Sequence, residues 1–414
     1  MQRQNIYLAS KPRYEILDGL RGVAALMVIL FHIFETYCPE GGQQHINHGY
    51  LAVDFFFVLS GFVIGYAYDD RWDKMTAWGF FKRRLVRLHP MVIIGTVIGA
   101  CLFFFQSAAF PKILEVKPWM FLLCFVMGLL MVPCGPGLDI RGWGETNSFN
   151  GPNWSLTLEY LGNILYAFFF RRLPAWGLAA LMAVAAFFTL DLTLGWNVPG
   201  LLEAPQYSVI GGWSLTPGQI YIGLTRLFYP FLCGLLISRL LPSRRSESNP
   251  GGSPLHIRGG FWWTSLILVG TFSMPCIGGE AGPANGIYQA ACILFVFPFV
   301  VLAGAGSVTT DPFSTKVCKW LGDLSYPLYI THYPLVYLHM SFVAEHRDAP
   351  LWMHIAVSSG VVLLSVLTAW AMFKMYDVPV RRWLTDHWLK RVPRPTVSFR
   401  TEMQPERQEN PLSR

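Results

Sequence analysis

The chain has 414 residues, of which 53% are hydrophobic and 14% charged, and it carries a net charge of +7. Soluble domains hold about 25% charged residues, so apolar runs recurring from end to end indicate a polytopic membrane protein and exclude a large soluble enzyme. The basic surplus lies in short loops between those runs, a positive-inside pattern, and no basic, aromatic-interleaved domain is present to hold nucleic acid. The eight cysteines are scattered and form neither a CxxC pair nor a Cys/His spacing of the zinc type, so no metal centre is expected. The first apolar run lacks a small-residue cleavage site, which predicts a retained span rather than a signal peptide.

Apolar segments fall near 17–37, 50–68, 90–110, 119–134, 153–170, 174–195, 218–241, 261–278, 286–305, 321–343 and 351–375. Arg3, Lys11 and Arg13 place the N-terminus inside, and Arg71, Lys74, Lys82, Arg83, Arg84 and Arg87 then also fall inside, after the second span. If 119–134 crossed, Arg171, Arg172, the basic residues of 239–258, Arg381 and Arg382 would all lie outside. Keeping 111–152 on the outer side as a re-entrant hairpin returns every basic loop to the inside, and its prolines and glycines suit broken backbone buried in protein. The expectation is an all-α protein of the plasma (inner) membrane, with about ten spanning helices, one re-entrant element and both termini cytoplasmic. Its parts are an N-terminal segment 1–13, a membrane domain 14–380 and a basic, polar tail 381–414. A polar stretch at 242–260 reads as a flexible loop, and no internal repeat of the kind found in many transporters is visible.

The first span carries Asp18, Arg21 and His32, and intramembrane ionisable residues point to function by default. Arg21 and His32 are eleven residues apart, which puts them on one helix stripe about 16 Å apart. Asp54, at the start of the second span, falls at nearly the depth of His32 and suits either a helix N-terminus or a carboxylate that orients an imidazole. Glu159 enters from the same side, with Asn153 and Trp154 at the mouth of its helix, so His32, Asp54 and Glu159 are expected in one outer layer. Tyr329 and His332 add polar groups near mid-bilayer. On the opposite side Lys82, Arg83, Arg84 and Arg87 form a cationic cluster. It reads either as positive-inside anchoring with anionic lipid contact or as a phosphate site, since guanidinium groups grip phosphates bidentately.

Five motifs, in order, carry a family resemblance. They are LDGLRGVAALMVILFH at 17–32, VDFFFVLSGF at 53–62, FKRRLVRLHP at 81–90, NWSLTLE at 153–159 and LGDLSYPLYITHYP at 321–334. With them the chain resembles the membrane-bound acyltransferase-3 family, whose members acylate sugars, polysaccharides, lipids and macrolides. The resemblance implies a ten-helix acyltransferase using cytoplasmic acyl-CoA, commonly acetyl-CoA, as co-substrate, with no bound cofactor. It implies catalytic importance for His32 and Arg21 and donor binding by Arg84 and Arg87. Asp18, Asp54, Ser60 and Glu159 also match family positions, and Asp18, Ser60 and Arg83 join Arg21, Arg84 and Arg87 as donor-binding candidates. Asp54 or Glu159 is expected to orient His32, and Asn153, Trp154, Tyr329 and His332 to face the acceptor, a glycan, lipid-linked sugar or other hydroxyl compound. His89 departs from the aromatic residue expected before its proline. No SGNH-type esterase domain is expected after the last helix, in which case the membrane domain completes the transfer alone or passes the acyl group to a separate partner. A transporter or flippase is the competing expectation.

Overall fold

The computed structural model describes residues 11, 13–38, 44–241, 257 and 259–390, and all regular elements among them are helical. The helices are α1 (Glu15–Glu35), α2 (Ala52–Tyr68), α3 (Ala77–Leu102), α4 (Pro118–Leu129), α5 (Asn153–Phe168), α6 (Ala175–Thr193) and α7 (Pro217–Leu240). They continue as α8 (Gly260–Ser273), α9 (Pro283–Ala291), α10 (Phe297–Gly306), α11 (Pro312–Thr331), α12 (Tyr333–Glu345), α13 (Leu351–Met372) and α14 (Val378–Leu384). A single π-helical turn joins α9 to α10 and another joins α13 to α14.

Seven helices among the described residues are long and apolar enough to cross a membrane, three fewer than the expected ten. The 16-residue α5 and 14-residue α8 are short, and α11 carries Lys316, Lys319 and Asp323. At 12 residues α4 rises only about 18 Å, too short to cross a hydrocarbon core of about 30 Å. Large apolar side chains are left on the outside, most of all on α13, where only Ser365 and Ala369 are buried. A helix apolar on its outer face belongs against lipid, and the protein is an integral membrane protein.

Burial around α1 is the reverse: twelve of its residues, on every face, are buried. It is the central post, packed against α11 on one side and α8 on another. The tightest contact in the bundle joins α2 and α7. A Cβ on Gly61 would stand 2.0 Å from the Phe231 carbonyl oxygen, and one on Gly234 would stand 1.9 Å from that of Val58. Small residues let helix backbones touch in this way within a bilayer. Gly234→Ala must therefore part the two helices, and overpacking of this kind costs about 1–3 kcal/mol or more. We expect a lower melting temperature for purified Gly234→Ala and none for Gly270→Ala, where nothing lies within 4 Å.

Two helices start earlier than their apolar runs. Helix α3 begins at Ala77, where Thr76 Oγ1 accepts from the Gly79 N–H at 3.1 Å, so the cluster from Lys82 to Arg87 lies inside the helix and not in the loop before it. The expected 321–343 span begins at Pro312 and breaks at His332. Pro334 has no N–H to offer the Ile330 carbonyl, and the Asn150 side chain donates to that oxygen at 2.8 Å instead. The 242–260 stretch lies outside the described residues except for Ile257, Gly259 and Gly260, as does the tail after Lys390.

Candidate active site

Two groups of ionisable side chains lie at different depths. The first surrounds the middle of α3. Arg84, 4% exposed, donates from Nη2 to Glu159 Oε1 at 2.6 Å, and Ser60 Oγ donates to the same oxygen at 3.0 Å. Arg21 donates to Asp18 at 2.8 Å one turn back on α1. Arg87 lies within electrostatic range of Arg21 and Arg84 and makes no ion pair among the described residues. Asp377, in the π-helical turn after α13, pairs with Arg381 at 2.6 Å and also faces Arg87. Arg83 is half-buried beside them on α3. Lys82 stands apart, over the rings of Trp78 and Trp388.

The second group surrounds a cavity of about 1460 Å³, above the roughly 300–1,000 Å³ of a drug-sized pocket. Its walls come from α1, the α12–α13 hairpin and the loops leading into α2, α5 and α7. His32 is on that wall, and its Nδ1 lies 2.8 Å from Glu35 Oε2. An ionised carboxylate only accepts, so this contact places the proton on Nδ1 and leaves Nε2 as the basic nitrogen. Tyr333 packs edge-on against the His32 ring at 4.7 Å. Behind it His332 is fully buried, stacked at 5.9 Å from His32, with Nδ1 donating to the Leu328 carbonyl at 3.0 Å and Nε2 without a partner among the described residues. Along α1 and the turn after it the lining runs from Val28 to Tyr37. Its inner edge is thus about 10 Å of helix from Arg21.

The carboxylate expected to orient His32 is therefore neither Asp54 nor Glu159. Asp54 is fully buried and grips Arg226, at 2.7 Å from Nη2 and 3.3 Å from Nε. Arg226 also donates to the carbonyls of Tyr50 and Gly211 and lies over the Trp154 ring. Glu159 is held by Arg84 and Ser60, in the arginine layer and not beside His32. Trp154 and Tyr329 do line the cavity, Tyr329 with its hydroxyl 2.7 Å from Ser155 Oγ. Asn153 does not: it is fully buried and faces a separate small void with Thr96, Cys124 and Cys134.

Sequence reasoning missed Glu35, Arg226, Glu145 and Tyr333. The first two had a signal. Glu35 follows His32 by three residues, which are neighbours on a helix, and Arg226 interrupts an apolar run as Arg21 does. Glu145 had none, because the irregular chain at 130–152 brings it in. Asp139 holds that turn by accepting from the N–H groups of Arg141, Gly142 and Gly144. Arg141, 1% exposed, anchors it by donating to the Ser148 carbonyl and Gln106 and by stacking 3.5 Å from the Tyr337 ring centroid. Burial pushes the Glu145 carboxyl up to about 7, against the opposing pull of Arg141 and the Tyr337 hydroxyl. Glu280, in the mouth loop, is raised by burial and by the nearby Glu35.

An integral membrane bundle with a histidine–carboxylate pair over a deep cavity and an arginine layer beneath is the class of protein defined so far. The chain matches the family described as "Acyltransferase domain" over residues 14–373 and belongs to it. It is 24% identical over 392 residues to the peptidoglycan O-acetyltransferase OatA of Listeria monocytogenes, a match covering 88% of this chain and 55% of that one. It is 23% identical over 390 residues to the putative peptidoglycan O-acetyltransferase YrhL of Bacillus subtilis, covering 88% and 54%. A third relative, Protein 2 in the picA locus of Rhizobium radiobacter, is 32% identical over 178 residues, covering 41% and 85%. The chain thus spans about half the length of the two peptidoglycan relatives. No solved structure matches it significantly.

Proposed function

We propose that the protein transfers an acyl group, acetyl in the simplest case, from acyl-CoA to a hydroxyl of a carbohydrate or related acceptor, with His32 as general base. The observation that carries this reading is the His32–Glu35 pair on the wall of the large cavity. Glu35 holds the imidazole in the tautomer with Nε2 unprotonated. Nε2 takes the proton of the acceptor hydroxyl as that oxygen attacks the thioester carbonyl, the carbon–sulfur bond breaks, and the thiolate leaves with the proton from His32. General-base catalysis of this kind is worth about 10²–10⁴ in rate. The donor enters at the arginine layer: Arg21, Arg84 and Arg87 supply guanidinium groups for the CoA phosphates, and the arm of the donor covers the roughly 16 Å of helix from Arg21 to His32.

In this reading Asp18, Glu159 and Ser60 position the arginines, and Asp54 positions Arg226 on the cavity wall. The family membership and the names of the relatives support the reaction class. The decisive test is acetyl transfer from acetyl-CoA by purified His32→Gln, which should be lost. Arg87 tests the donor side. Arg87→Ala should raise KM for acetyl-CoA about tenfold, and Arg87→Lys should rescue it poorly, because an ammonium lacks the planar fork. Unchanged KM in both variants would remove Arg87 from the donor site.

A further inference from the structure

We infer that Glu145, braced from behind by the Tyr337 hydroxyl, forms a second polar subsite in the cavity, one that binds a neighbouring hydroxyl of a polyhydroxylated acceptor while another hydroxyl reacts at His32. This deepens the acyl-transfer reading and rests on it. Three carboxylates line the cavity: Glu35, Glu145 and Glu280. Glu35 is engaged by His32, and Glu280 belongs to the loop at the mouth.

Glu145 is built into the wall. It is 6% exposed, and its Oε2 accepts from the Tyr337 hydroxyl at 2.6 Å. Its Oε1 makes no hydrogen bond among the described residues. That oxygen borders a bare patch of backbone on the cavity wall: a Cβ on Gly151 would stand 2.7 Å from Glu145 Oε1, 2.8 Å from the Tyr337 hydroxyl and 2.8 Å from Tyr333 Cε1. Only a glycine at 151 lets these three groups close on the backbone and keeps this stretch of wall free of a side chain. The Tyr333 ring that touches this spot also packs on His32, so one aromatic ring separates the two polar centres.

The chemistry suits a sugar-like ligand. A hydroxyl both donates and accepts, and a carboxyl that titrates near neutrality does the same. Trp143, Trp154 and Trp213 line the same cavity and offer faces to an amphipathic ring. Arg141 does not depend on Glu145 for partners: its Nε lies 3.6 Å from Oε2, while it donates at shorter range to the Ser148 carbonyl and Gln106.

The test uses the full chain in nanodiscs, titrated with methyl β-glucopyranoside and with 1-propanol as a one-hydroxyl control. Binding is read by tryptophan fluorescence, and transfer from acetyl-CoA by product mass. The wild type should bind the glycoside at least tenfold more tightly than propanol. Glu145→Gln and Tyr337→Phe should each weaken glycoside binding about fivefold or more and raise its KM with little change in kcat, leaving propanol binding and the melting temperature unchanged. Glycoside binding should vary between about pH 6 and 8 in the wild type and be flat in Glu145→Gln. His32→Gln should bind the glycoside normally. Unaltered glycoside binding in both variants, a wild type that does not prefer the glycoside, or unfolding of both variants would overturn the inference. Transfer persisting in His32→Gln would instead overturn the general-base assignment, and absence of transfer by the wild type would overturn the acyl-transfer reading; either would leave the binding result standing.

Discussion

His32→Gln should lose acetyl transfer by about 10²–10⁴, the usual span of a general base, while inserting and folding like the wild type. The folding half of that expectation comes from the site itself. His32 is on a cavity wall, and the hydrogen-bonded partner of its ring among the described residues, Glu35, has a side chain 44% exposed, so neither is left buried without a partner when the other is replaced. Glu35→Gln should be milder, because an amide can still accept from Nδ1–H but does not stabilise the imidazolium formed as the proton arrives. We expect a drop of about tenfold in kcat there, with KM for acetyl-CoA unchanged. The measurement is product formation by purified protein in lipid. Full activity in His32→Gln would end the general-base assignment.

The second large effect is on stability and comes from Asp54 and Arg226. Both are almost fully enclosed, at 0% and 3% exposure. Removing one partner of such a pair leaves a charge buried alone, at a cost of about 3–5 kcal/mol, whereas replacing both with apolar groups of similar size is often near neutral. Asp54→Ala and Arg226→Met should each unfold at a markedly lower temperature than the wild type, and the double variant should recover most of the loss. Recovery shows the pair to be a fastener; additive losses would show that Arg226 stabilises chiefly through its other partners, the Tyr50 and Gly211 carbonyls. Activity in the double variant reports separately on the Arg226 guanidinium at the cavity wall.

The membrane class, the family and the importance of the first span were legible in the sequence because they rest on local facts: long apolar runs, loop charges and the order of five motifs. Partnerships were not legible, because they depend on how each helix is rotated. Asp54 has the depth expected of a partner for His32, but α2 turns it toward α7 and Arg226. Glu159 was placed too far out for a different reason. Apolarity alone starts the third span at about 90, whereas the capped helix begins at Ala77, and those added turns carry Arg84 into the bundle to meet it. The wall at Glu145 was out of reach, since no periodicity describes an irregular segment held by Asp139 and Arg141.

Where Gly61 and Gly234 bring α2 and α7 into backbone contact, neither helix can slide or roll without driving a carbonyl oxygen into the other. The two therefore pack as one rigid unit within the bundle. Asp54 and Arg226 ride on that unit, one on each helix, and Ser60 rides with them. Helix α13, with two buried residues, has no comparable restraint along most of its length. Looseness in the bundle therefore falls on the lipid-facing α13 and not on the α2–α7 pair.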